Sequence, residues 1–130
     1  MATIKSFSDL EQSRKLAEIL PLESADMYYP NRIDTKYQGA LPIEYKRGNP
    51  LLSQEISAWS LAALLSIIPQ EIFDGEYIIN ITEGWDNKWI LTYDHHENRN
   101  HSYYGLSTGA DNLVDACVEM IIKLHKLNLL

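Results

Sequence analysis

Ser57-Ala58-Trp59-Ser60-Leu61-Ala62-Ala63-Leu64-Leu65-Ser66-Ile67-Ile68 is the stretch on which the fold turns. After Ser57 only Ser60 and Ser66 are polar. At about 100° per residue, a helix drawn through the segment is therefore apolar nearly all round. A helix with no solvated face belongs inside a core. The stretch predicts a buried central helix, with Ser57 as its N-cap and Pro69 as its stop.

The flanking sequence predicts what surrounds it. Upstream, Ser8 and Glu11 have the spacing of a capping box. Leu10, Leu16, Ala17, Ile19 and Leu20 then fall on one half of a helix that Pro21 ends, while Glu11 and Lys15 sit at i,i+4 on the other half. Downstream, Tyr77, Ile79 and Ile81 alternate with Ile78, Asn80 and Thr82, and Trp89, Leu91 and Tyr93 alternate with Ile90 and Thr92. That is the pattern of two strands joined by a turn within Gly84–Asn87. A loop of Asp86–Asn87 would set Ile81 opposite Thr92. A loop of Trp85–Asn87 sets Ile81 opposite Leu91 and Ile79 opposite Tyr93. The second is preferred because it keeps the large apolar side chains on one face, and a slip of one residue would turn every side chain over. A third strand is expected near Ser102–Leu106, after the polar loop Asp94–His101.

A last helix is predicted from Leu113 to Leu127 with Asn112 as N-cap. Its polar stripe, Asp115, Glu119, Lys123 and Lys126, is narrow, and the wide remaining arc carries Val114, Cys117, Val118, Met120, Ile121, Ile122 and Leu124. So much apolar surface exceeds contact with one neighbour. The helix is either wedged between the sheet and another helix or shared with a second subunit, so monomer and homodimer both stay open. Between the first and central helices, Pro30, Pro42 and Pro50 with Gly39 and Gly48 cut residues 22–56 into short pieces. Met27–Tyr29 and Ile43–Lys46 read as short strands at a sheet edge. The sum is one α+β domain over residues 1–130: an antiparallel sheet of three to five strands with about three helices, at least two covering one face and the central one buried.

Composition narrows the function classes. The formal charge is −7, and residues 66–130 carry four Lys/Arg against ten Asp/Glu. That balance argues against binding a phosphate backbone, which needs clustered cations. No basic leader with an apolar core opens the chain, and the apolar block at Leu61–Ile68 is well short of the ~20 residues that span a bilayer. Cys117 is the only cysteine, so no internal disulfide forms, and a cytoplasmic location is expected with no membrane association.

Asp94, His95, His96, Glu97 and His101 concentrate imidazole and carboxylate in one loop, the ligand types of a divalent metal. No HExxH or CxxC spacing supports a metalloenzyme, Arg99 lies among the ligands, and adjacent His95 and His96 point apart in an extended segment. A solvated interstrand loop accounts for the same residues. Cys117 and His125 lie on the apolar arc of the last helix and read as core and helix-end residues, not as a nucleophile and its base. Gly105 and Gly109 flank Leu106–Thr108 in no phosphate-cradling pattern, and GxGxxG, Walker and GxSxG motifs are absent. No catalytic, cofactor or metal residue is assigned. Among the three tryptophans, Trp59 and Trp89 fall on core positions. Trp85 falls in the hairpin turn, where its ring either folds back onto the sheet or forms an exposed protein contact.

Three stretches carry a resemblance: Gln12–Glu18 running into Leu20–Met27, then Trp59–Leu65, then Asp115–Ile121. Together, in that order, they resemble a family of small uncharacterised proteins of Bacteroides-type gut bacteria, often found in prophages and other mobile elements. The family has no established activity, so no residue role carries over. What the resemblance implies is a cytoplasmic accessory protein of a mobile element. The leading expectation is a non-enzymatic module that binds a protein partner. The alternatives are a small metal-dependent enzyme built on Asp94–His101, and an acidic inhibitor mimicking nucleic acid with Asp74, Glu76, Glu83, Asp86 and Asp94 in a row.

Overall fold

The computed structural model describes residues 5–29, 43–44 and 56–130. Helix α1 (Leu10–Ile19) is capped one residue later than the sequence pattern suggests. The Asp9 carboxylate accepts the Gln12 N–H at 2.8 Å, and the Gln12 side chain accepts the Asp9 N–H at 3.1 Å. Ser8 cannot cap because its hydroxyl is committed elsewhere. It is fully buried, accepts the Trp59 N–H at 3.0 Å and lies 2.8 Å from Ser13 Oγ. The Ser8 backbone adds two more ties: its N–H donates to the Trp59 carbonyl (2.8 Å) and its carbonyl accepts the Tyr29 hydroxyl (2.7 Å).

A single 3-10 turn, Leu22–Ser24, leads into β1 (Met27–Tyr29). Strand β1 pairs antiparallel with β2 (Ile43–Glu44) and with β3 (Ile56–Ala58), in the order β2-β1-β3. Met27–Tyr29 is therefore the middle strand of a three-stranded sheet, not an edge; its two neighbours take the edges. The breaks expected at Pro30, Gly39, Pro42, Gly48 and Pro50, and the Tyr45–Lys46 end of the second strand, lie outside the described residues.

The stretch Ser57–Ile68 divides in two. Its first residues belong to β3, where Ser57 is buried and cannot cap a helix. Helix α2 (Leu61–Ile67) starts instead at Ser60, whose hydroxyl accepts the Ala63 N–H at 3.2 Å. The Asp26 carboxylate holds that corner, taking the Ser60 N–H at 2.8 Å and the Ser60 hydroxyl proton. Trp59, Ala63, Leu64 and Ile68 are buried, whereas Ala62, Leu65 and Ser66 are exposed. The expectation of a central helix dry on every side is thus corrected. A helix of two turns, entered from a strand at a fixed corner, presents only one face inward.

The four-stranded antiparallel sheet follows, in the order β4 (Glu71–Ile72), β5 (Tyr77–Glu83), β6 (Trp89–His95), β7 (Ser102–Ala110). The preferred hairpin register holds, with Ile79 opposite Tyr93 and Ile81 opposite Leu91. Strand β7 runs four residues beyond the expected Leu106 and is bulged. Pairing steps from Thr92 opposite Ser107 to Asp94 opposite Ser102, so β7 advances five residues while β6 advances two. Gly105, at φ 86°, absorbs that excess.

Helix α3 (Leu113–Lys126) is the enclosed one. Asn112 caps it as expected, its side chain accepting the Asp115 N–H at 2.8 Å. It packs on β6 and β7 on one side and on α1 and α2 on the other. Val114, Ala116, Cys117, Met120, Ile121 and Leu124 are fully buried between those layers. The wedge reading of the wide apolar arc is the one the structure adopts. The fold is α+β, with two antiparallel sheets and three helices among the described residues, and none of those helices is long and apolar enough to cross a membrane. The sheet face opposite α3 is uncovered by any described element: Ile78, Asn80, Thr82, Ser107 and Gly109 are exposed there.

Candidate functional site: the β5–β6 hairpin tip

The tip is built by backbone constraints. Gly84 N–H donates to the Lys88 carbonyl at 2.7 Å, closing a three-residue loop in which Asn87 takes the left-handed conformation (φ 58°). A Cβ on Gly84 would come within 2.8 Å of Ile90 Cδ1, so a larger residue there would make that side chain shift. In this loop the Trp85 ring is fully exposed, at 104% relative exposure. The open alternative for Trp85 therefore resolves to exposure. Trp59 is wholly buried, its indole N–H donating to Ser24 Oγ at 3.0 Å, and Trp89 is half-buried against the core, so both keep the expected roles.

Beside Trp85 lies a shallow groove of about 300 Å³, lined on the hairpin by Gly84, Asp86, Lys88 and Ile90 and on β7 by Ser107 and Gly109. Small residues on β7 leave it open: a Cβ on Gly109 would meet nothing within 4 Å. Sequence reasoning gave Ser107 no attention and Gly109 no role, because their importance rests on lying across β6 from the tip. The legible signal was the run of small residues on one parity of β7.

The Asp94–His101 loop does not assemble a metal site. Among the described residues no group of three His, Cys, Asp or Glu side chains converges as metal ligands. His95 Nδ1 accepts the Glu97 N–H at 3.2 Å, and the His95 and His96 rings stack at 4.8 Å with 25° between their planes. The expectation that these two histidines diverge is corrected, because β6 ends at His95 and the chain turns there. His95 and His101 pack on Tyr77, which also meets Tyr103 at 5.2 Å, so the histidines finish an aromatic cluster over the end of the core. Asp94 is buried and spoken for by Ser102 Oγ (2.7 Å) and Asn80 Nδ2 (2.9 Å). Burial alone would raise its pKa. The hydrogen bonds from Ser102, Thr92 and Asn80, with the Arg99 charge, hold it below the ordinary carboxylate value.

The other candidates fall to structural roles. Burial pushes the Cys117 thiol up to about 12, which leaves it unreactive, and His125 is exposed at the far end of α3. Asp74 and Glu76 stand at one end of β5 and Glu83 and Asp86 at the other, about 20 Å apart for a seven-residue strand. With Asp94 buried, these carboxylates make no continuous row of phosphate mimics. No protein-family model matches the chain, and no curated protein or solved structure is found similar to it.

Proposed function

We propose that this chain is a non-enzymatic interaction module, an accessory protein of a phage or mobile element, that docks a partner protein at the hairpin tip. The observation carrying this reading is the wholly exposed indole of Trp85 beside a groove that Ser107 and Gly109 leave open on β7. Tryptophan is the side chain most enriched among residues that dominate binding energy, and an unburied one on a rigid turn has no role in the fold. The mobile-element context comes from the resemblance of the three helical stretches. Among the described residues no three potential metal ligands gather around the histidines, so nothing there favours a metalloenzyme.

The test is affinity capture from a bacterial host, comparing the native chain with Trp85→Ala and with Tyr104→Ala, a second fully exposed aromatic that does not line the groove. Expected is a partner retained by the native chain and by Tyr104→Ala and depleted about tenfold by Trp85→Ala, the size of a hot-spot loss. A partner profile indifferent to Trp85 overturns the proposal.

A further inference from the structure

Resting on that docking reading, we infer that the hairpin-tip groove takes a basic segment of the partner, with an arginine guanidinium laid on the Trp85 ring. The indole is the strongest cation–π platform among the side chains, and a planar guanidinium stacks on it where an apolar side chain would gain only area. The surrounding charge points the same way. Asp86 follows the tryptophan and lines the groove, and Asp111 follows Ala110, which pairs with Trp89 beside the tip; Glu83, opposite Trp89, belongs to the core-side face of the sheet. Asp86 and Asp111 are exposed, and among the described residues neither is in an ion pair. Lys88 is the one cation on the hairpin tip, so these three charges sum to −1. The groove floor itself, Ile90 with Ser107 and Gly109, carries no charge. An extended backbone can lie there without meeting a side chain at position 109. Aromatic ring, unpaired carboxylates and uncharged floor are complementary to a short arginine-bearing stretch, and opposed to an acidic or phosphate-bearing one.

The experiment titrates the full chain, labelled with nitrogen-15, with a capped Gly-Arg-Gly-Arg-Gly peptide and with matched peptides carrying glutamine or glutamate in place of arginine. Expected are shifts of the Trp85 indole N–H and of the Ser107 and Gly109 amides with the arginine peptide alone, weakening as salt rises past about 0.1 M. Trp85→Leu, which keeps apolar area without the ring face, weakens binding about tenfold. Asp86→Asn with Asp111→Asn weakens it severalfold. Unchanged amide shifts away from the tip verify that each variant folds. Equal response to the glutamine peptide, full binding by Trp85→Leu, or no shift with the arginine peptide each overturns the inference. Should partner capture depend on Trp85 while the arginine peptide leaves the tip unmoved, docking stands and its basic character falls. Should the peptide bind while capture ignores Trp85, the proposed function falls instead.

Discussion

Asp115 shows how one side chain ties the ends of the chain together. Its Oδ1 accepts Lys5 Nζ and Gln12 Nε2, both at 2.7 Å, and its Oδ2 accepts Asn112 Nδ2 at 2.8 Å. Burial works to raise the Asp115 pKa, but these bonds and the Lys5 charge outweigh it and hold the carboxyl below its usual value. The same contacts raise Lys5 against the opposing effect of burial. A lowered carboxylate contributes stability that is complete above the unfolded pKa of about 3.9 and disappears as pH falls through the folded value. The raised lysine contributes below its unfolded value of about 10.4 and loses that contribution as pH climbs through the folded one. Asp115→Asn is therefore expected to melt below the native chain at pH 7, with the gap closing toward pH 2. Thermal melts across that range check it, and a gap independent of pH would contradict it.

At the scale of elements, α2 and α3 exchange the roles that their composition suggests. The Trp–Leu–Ala stretch looks the drier of the two, yet α2 turns Leu64 fully inward and leaves Leu65 37% exposed. Leu64→Ala is expected to cost about 2–5 kcal/mol by opening a cavity, and Leu65→Ala about 0.5 kcal/mol or less. Denaturant titration of the two variants separates them, and equal losses would restore a helix enclosed on all sides. Much of this level was legible: the first helix, the hairpin register and the last helix all follow from spacing, whereas the wedged packing of the last helix was one of two open alternatives. The caps were less so. Ser8 and Ser57 have the chemistry of N-caps, but tertiary contacts bury both, and Asp9 and Ser60 replace them.

Across the whole molecule, α3 organises the layers and also guards an exposed border. Strand β7 is the edge of its sheet and has no charged side chain in nine residues. Ile79 N–H bonds to the Gln70 carbonyl, so by alternation Thr92 bonds toward β5 and Ser107 faces away from β6. Lys123 reaches from α3 to donate to that outward Ser107 carbonyl at 2.7 Å. A lysine on an open edge hinders further strand addition, as does the bulge at Gly105. Lys123→Ala is expected to increase self-association over the native chain, and Lys123→Arg to leave it unchanged. Sedimentation velocity at matched concentrations decides it, and an unaltered distribution for Lys123→Ala would remove the guarding role.

Local periodicity and turn chemistry were enough to specify the first and last helices, the β5–β6 register and the three-residue turn that contains Trp85, while leaving the position of its ring open. Those features depend on neighbours within a few residues, and the chain carries that information wherever it folds. Which helix lies innermost, which serines cap, whether the histidines converge and what lies across from Trp85 were decided only in three dimensions. Each depends on contacts between residues far apart in the chain: Ser8 with Trp59, Asp26 with Ser60, the hairpin tip with Gly109. Burial and hydrogen-bond competition at those meetings override the preference that any one segment has alone.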